Sequence, residues 1–286
     1  MAGFPHTAIS WLCPLILLAS VVDGATAESK LRLDVDVRYY YGQWQWGDYE
    51  MTPRAGQAGP DVRVHLPGGR WSLGTSYLSG DFSAAGASPL SDPLFRSRKN
   101  FAVEDGREEL VLDLEFRPLG WLGVAAVYRF SQYELVSDVQ LNSDQRLYGT
   151  GVERVVNEAR GWGLSVRPRL PVHRQVTFSG ELSLFPELSG EAAGRYQYQM
   201  LFDDNELDSR WFGRSSPRGF AGRGELTYAL TGIPISLSAG FFFEQLHDRD
   251  PAEAGWLEDQ LGGQTPGRSW LDDDFRGITA RAGFTF

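Results

Sequence analysis

Cysteine occurs once in the 286 residues, at position 13, and histidine four times. With a single thiol near the start, no disulfide framework and no thiolate metal site can form in the rest of the chain. Beyond the first twenty residues the histidines are His65, His173 and His247, read as lying on a strand, in a turn and in the last long loop. They do not converge on one metal or one triad. Long apolar runs are also missing. Residues 8 to 22, AISWLCPLILLASVV, are too short to cross a bilayer as a helix, and nothing after them approaches the roughly 20 consecutive apolar residues that a membrane helix needs. The net charge of -10 comes without any basic, aromatic-laced patch, which argues against nucleic-acid binding.

The N-terminal apolar run is followed by Ala25-Thr26-Ala27, a small-x-small pattern of the kind signal peptidase cuts. Residues 1 to 27 are therefore expected to be a removed export signal, which leaves residues 28 to 286 as one domain. Cys13 falls inside that signal, without a small-residue lipobox before it.

What fills the rest of the chain is alternation with a period of two. In LRLDVDVRYYYG, residues 31 to 42, Leu31, Leu33, Val35, Val37, Tyr39 and Tyr41 alternate with Arg32, Asp34, Asp36, Arg38 and Tyr40. EELVLDLEFRP sets Leu110, Leu112, Leu114 and Phe116 against Glu109, Val111, Asp113 and Glu115, and LGVAAVYRF sets Leu122, Val124, Ala126, Tyr128 and Phe130 against Gly123, Ala125, Val127 and Arg129. The same alternation returns in VRVHLP, QVTFSGELSL and RGITARAGFTF. Ten strands are predicted, at 31–43, 60–66, 70–78, 107–117, 121–133, 158–168, 174–185, 219–230, 234–245 and 275–286.

Their connections alternate in length. LPGGR, RPLGW, RPRLPVHR and TGIP are short and rich in Pro and Gly, as tight turns require. Between them, long loops are expected at 44–59, 79–106, 134–157, 186–218 and 246–274. An even number of strands with connections sorted in this way fits an all-β, ten-stranded antiparallel transmembrane up-and-down β-barrel, whose apolar faces meet lipid and whose charged faces line the lumen. A secreted lipocalin-type barrel is the rival, with its apolar faces turned inward. Aromatic residues fall near both strand ends, as two interfacial girdles would demand: Trp71, Phe116, Trp121 and Phe286 at the turn ends, and Tyr39, Tyr41, Tyr77, Tyr128, Phe130, Trp162, Phe220, Phe241 and Phe243 toward the loops.

The last strand ends in GFTF, with aromatic Phe284 and Phe286. This ending resembles the C-terminal insertion signal of bacterial outer-membrane β-barrel proteins. The resemblance implies a Gram-negative outer membrane, insertion by the barrel-assembly machinery, and lipid and lipopolysaccharide as surroundings. Ten-stranded surface proteases of this architecture pair two acids with an Asp-x-His at the rim. Here the comparable acids, Asp34 and Asp36, lie low in the first strand, and Asp-x-His occurs nowhere. The His-x-Ser pattern of outer-membrane phospholipases is absent too, so neither activity carries over.

Strand parity turns Asp34, Asp36, Asp61, Asp113, Glu115, Glu181, Glu225 and Glu244 inward, facing Arg32, Arg38, Arg63, Arg129, Arg167, Arg223 and Arg281. A ten-strand barrel is narrow, so charges inside it must pair. Two pairs are expected: Glu109 with Arg129, equidistant from the turn near 119, and Arg281 with Asp34 or Asp36 across the closing seam. The plain reading is a structural ion-pair network of Asp34, Asp36, Arg38, Glu109, Asp113, Glu115, Arg129, Arg223, Glu225 and Arg281, and the sharper one is a proton or solute path.

The expected task is membrane or surface structure around an ion-paired lumen, extending to a narrow pore. The alternatives are a channel for small or hydrophobic solutes and a rim-site hydrolase, for which His247 and Asp248 beside Glu244 would be a base and its orienter. No cofactor or metal is expected. The loop at 246–274 holds Asp248, Asp250, Glu253, Glu258, Asp259, Asp272, Asp273 and Asp274, and the loop at 186–218 adds Asp203, Asp204, Glu206 and Asp208. These acidic loops could bind divalent cations or a cationic partner, although solvated repulsion is the simpler account.

Overall fold

A computed structural model describes residues 31–46, 49–89, 97–143, 146–201, 206–248 and 273–286. The expected export signal, Cys13, and the loop residues Asp203, Asp204, Asp250, Glu253, Glu258, Asp259 and Asp272 lie outside the described residues.

Alternating side chains make each segment extended, and the chain runs through twelve strands. They are β1 (Arg32–Trp46), β2 (Tyr49–His65), β3 (Trp71–Pro89), β4 (Ser97–Leu119), β5 (Leu122–Ser143), β6 (Arg146–His173), β7 (Val176–Phe185), β8 (Ser189–Met200), β9 (Glu206–Ser215), β10 (Pro217–Ala229), β11 (Ile235–Asp248) and β12 (Asp273–Thr285). They form ten staves. β6 pairs its lower part with β7 and its upper part with β8, so β7 and β8 are one stave broken at Pro186–Leu188. In the same way β9 and β10 continue one another, pairing with β8 and β7 in turn. Every pairing is antiparallel, and β1 pairs with β12 to close the wall. At that seam the Phe286 amide donates to the Leu33 carbonyl at 2.8 Å, and the Leu33 amide donates to the Phe286 carbonyl oxygen at 3.1 Å.

Tight turns join the staves at the lower end. Gly68 and Gly69, with φ of 86° and 66°, make the β2–β3 turn, and Gly232 with φ of 81° makes the β10–β11 turn. A side chain would strain each of these backbones.

The faces are ordered as a lipid-embedded barrel requires. Leu112, Leu182, Leu237 and Phe284 are exposed on the outside, as are Trp162 at 65% and Phe241 at 73%, while Asp36, Asp61, Asp113 and Glu115 are buried within. Apolar surface this continuous is not compatible with water. The lipocalin alternative, with its reversed faces, is thereby excluded.

Most of the expected long loops are strand instead. The stretches 79–106, 134–157 and 186–218 are largely occupied by the upper parts of β3 to β6 and by β8 and β9. β6 alone has 28 residues. At ~3.3 Å per residue and a tilt near 45° it rises roughly 65 Å, far more than an apolar band of about 25 Å.

The band has a visible top. On β5 the outward residues are Val124, Ala126, Tyr128 and Phe130, and then, with parity unchanged, Gln132, Glu134, Val136, Asp138 and Gln140, polar but for the one valine. On β4 the change falls between Leu110 and Glu108, on β3 between Tyr77 and Ser79, and on β6 between Trp162 and Arg160. The register sets Ser79 beside Glu108, Glu108 beside Gln132 and Gln132 beside Glu158, so one line of polar residues crosses four staves. Inside, the sense is reversed. From the top of the band upward the lumen is filled by Tyr40, Trp44, Leu78, Phe82, Tyr133, Leu135, Val155, Phe242 and Phe275.

Candidate functional site: the filled lumen

From the lower mouth upward, the inward positions of the staves meet in successive ionic layers. At the mouth the Asp34 carboxylate is held by Arg32 at 2.9 Å, by His65 Nε2 at 2.8 Å and by the Thr285 hydroxyl at 2.9 Å. Above it, Arg38 pairs with Asp61 at 2.6 Å, and Arg281 reaches Asp36 at 3.3 Å and Glu225 at 3.4 Å.

Between the mouth and that level, a belt crosses the whole lumen. Arg63 on β2 grips Asp113 with two 3.0 Å bonds and Glu115 at 2.8 Å. Arg167 on β6 holds the same Asp113 at 2.6 Å and reaches on to Glu181 of β7 at 2.8 Å. Arg223 on β10 pairs with Glu181 and donates to the Tyr40 hydroxyl of β1 at 3.2 Å. Arg117 closes on Glu115 at 2.5 Å. The chain carries 25 arginines and only two lysines. A planar fork that bonds two acids at once suits such a crowded belt, where a compact ammonium would not.

Above the belt lies a cavity of about 90 Å³, and its roof is a second cluster. Arg129 stands 3.1 Å from Glu109 and 2.6 Å from Glu244. Arg107, with 0% exposure, meets Glu244 at 2.5 Å, Asp273 at 3.3 Å and Glu109 at 3.6 Å through a single nitrogen, Nη2. Its guanidinium lies 4.8 Å from the ring centre of Phe275, 5.2 Å from that of Tyr133 and 5.5 Å from that of Trp44. Ring faces take up the remaining surface of the cation, and its Nε and Nη1 make no hydrogen bond among the described residues. Asp273 accepts from Trp44 Nε1 and from the Tyr133 hydroxyl, both at 2.5 Å. It begins β12, five residues above Ile278, the last outward apolar residue of that strand, and so lies above the band. Burial pushes its carboxyl up to about 7, against the pull of Arg107.

Sequence parity placed Asp34, Asp36, Arg38, Glu109, Asp113, Glu115, Arg129, Arg223, Glu225 and Arg281 inside, and all ten line these layers. It did not pick out Arg107 or Asp273. Arg107 stood at the edge of a predicted strand and Asp273 inside a predicted loop. The parity signal was nevertheless present, since Arg107 continues the series Glu109, Val111, Asp113, and Asp273 continues Phe275, Gly277, Thr279.

The hydrolase constellation does not assemble. Glu244 is buried in the lumen, whereas His247, three residues on, is exposed on the outer face of β11. His65 lies at the lower mouth and His173 ends β6 at the lower turns, so the three histidines stay apart.

Among solved structures, the outer membrane protease OmpT of Escherichia coli superposes with a TM-score of 0.57 at 10% identity, covering 93% of this chain and 100% of that one. The fold is that of a bacterial outer-membrane β-barrel. With its lipid-facing band, the barrel sits in the outer membrane. A major outer membrane protein of Thermus thermophilus matches with a TM-score of 0.40 at 11% identity, covering 90% of this barrel and 100% of that chain. The Pseudomonas putida toluene transporter TodX matches with 0.34 at 10% identity, covering 91% and 90%. No protein-family model matches the sequence, and no curated protein sequence matches it.

Proposed function

We propose that this barrel is a closed structural and surface protein of the outer membrane, whose wall carries a tall β-superstructure into the space outside. The observation behind this reading is the ionic belt from Arg63 through Asp113, Arg167 and Glu181 to Arg223, roofed by the Arg107 cluster and its aromatic rings. A solute would have to break several buried ion pairs to pass, each costly to separate. The cavity between the layers has room for several waters.

Purified protein in planar bilayers is expected to add no unit conductance. Reproducible conductance steps from the unmodified protein would replace this reading with that of a narrow pore. Hydrolysis belongs to OmpT by its name and gains no support here, because Glu244 and His247 face opposite sides of β11. Phe284 and Phe286 are the residues proposed to guide insertion by the barrel-assembly machinery, and Phe286→Ala is expected to slow the appearance of folded protein in outer-membrane fractions. Removal of residues 1–27 is part of the same reading and predicts a mature N-terminus at Glu28.

A further inference from the structure

The roof cluster has an excess of acid, where the belt below it has an excess of arginine. Among the described residues, Glu109, Glu244 and Asp273 are three carboxyls linked to two guanidiniums, Arg107 and Arg129. Ring faces and neighbouring strands shield its two cations from water, with Arg107 and Arg129 at 0% and 1% exposure. Full ionisation would leave one uncompensated negative charge in that shielded cluster, which is more costly than binding a proton.

We propose that the Glu244–Asp273 carboxyl pair is a proton-binding site that holds one shared proton at neutral pH and, through it, locks the aromatic plug of the lumen. The geometry says where the proton sits. Glu244 takes the closest contacts of both cations and stays ionised, whereas Asp273 has Arg107 only at 3.3 Å and otherwise faces two neutral donors, Trp44 and Tyr133. A neutral Asp273 can donate to Glu244, which meets the same Nη2 of Arg107. Facing the pair are Trp44 from β1, Arg107 and Glu109 from β4, and Arg129 and Tyr133 from β5, with Arg38 of β1 the next charge beyond. Glu244 and Glu109 also line the cavity beneath, which gives the proton an aqueous side on which to exchange. Through Asp273 the site ties the start of β12 to β1, β4, β5 and β11. The lock rests on the closed-barrel reading, whereas the proton site itself does not.

Asp273→Asn keeps a neutral donor to Glu244 and an acceptor for Tyr133, and so imitates the protonated state at every pH. Above about 4 an unfolded Asp273 is ionised while the folded one keeps its proton, so unfolding releases a proton and stability falls as pH rises until about 7. The wild-type thermal-unfolding midpoint should drop by several degrees between pH 5 and pH 8, and that of Asp273→Asn should stay level. Parallel curves for the two proteins would overturn the site. Infrared spectra of the wild type, which need no variant to fold, should show a buried protonated-carboxyl C=O band at pH 6 that fades by pH 8. Absence of such a band would equally overturn it. Neither readout depends on conductance, so an open pore in the bilayer experiment would remove the closed-barrel reading and leave the proton site standing.

Discussion

Below the polar line at Ser79, Glu108, Gln132 and Glu158 the barrel is apolar outside and charged inside, and above it the wall is mostly polar outside, with exceptions such as Val152 and Phe212, and mostly aromatic and aliphatic inside. The same strands, with the same side-chain parity, build both halves. The change follows the solvent. Where lipid surrounds the wall, outward residues must be apolar and the charges can only go inward, where they satisfy one another. Where water surrounds it, the upper wall behaves as an ordinary soluble β-structure, with its rings packed inside. The arginines mark the contrast as well. In the belt Arg63, Arg117, Arg167 and Arg223 outnumber Asp113, Glu115 and Glu181, so each acid has more than one cation, whereas in the roof the acids outnumber the cations.

That comparison can be broken or sharpened by substitution, with stability read from reversible unfolding in lipid vesicles. Arg107→Leu strips Glu244 and Asp273 of their shared cation inside a dry cluster and should cost about 3–5 kcal/mol, the largest effect expected. Leu112→Arg puts a charge on the lipid face and should cost about 2–4 kcal/mol, whereas Gln132→Arg, on the outer face above the polar line and beside Glu108 and Glu158, should change stability by less than about 0.5 kcal/mol. Equal costs at the two positions would mean that the band does not end at that line. Arg167→Met should cost about 2 kcal/mol, less than the roof substitution, because Arg63, Arg117 and Arg223 still hold its acids. Glu134→Ala, which removes the exposed partner of Arg154, should cost less than about 1 kcal/mol and lose even that in high salt.

The strand ends show what reading the sequence missed. On β5 the alternation continues to Ser143, yet the predicted strand stops at 133, because the outward residues turn from Tyr128 and Phe130 to Gln132 and Glu134 while Leu135 and Val139 turn inward. A reading that equates apolar with outward ends where that equation inverts. The stretch SAAGAS in β3 carries too little contrast to register as a strand at all. At Pro186–Leu188 the stave shifts parity, so that Leu184 and Ser189 both face outward, and that too hid β8.

The residues alone determined the number of staves, their tight turns and which side chains face inward in the band, because a period of two in side-chain direction is a local property of extended backbone. Tertiary structure decided which inward charges meet. Arg63 finds Asp113 fifty positions along, and Arg107 finds Asp273 across the lumen, because curvature and closure, not sequence distance, fix who stands opposite whom. It also decided how many carboxyls share each cation, and with that where a proton is expected to stay.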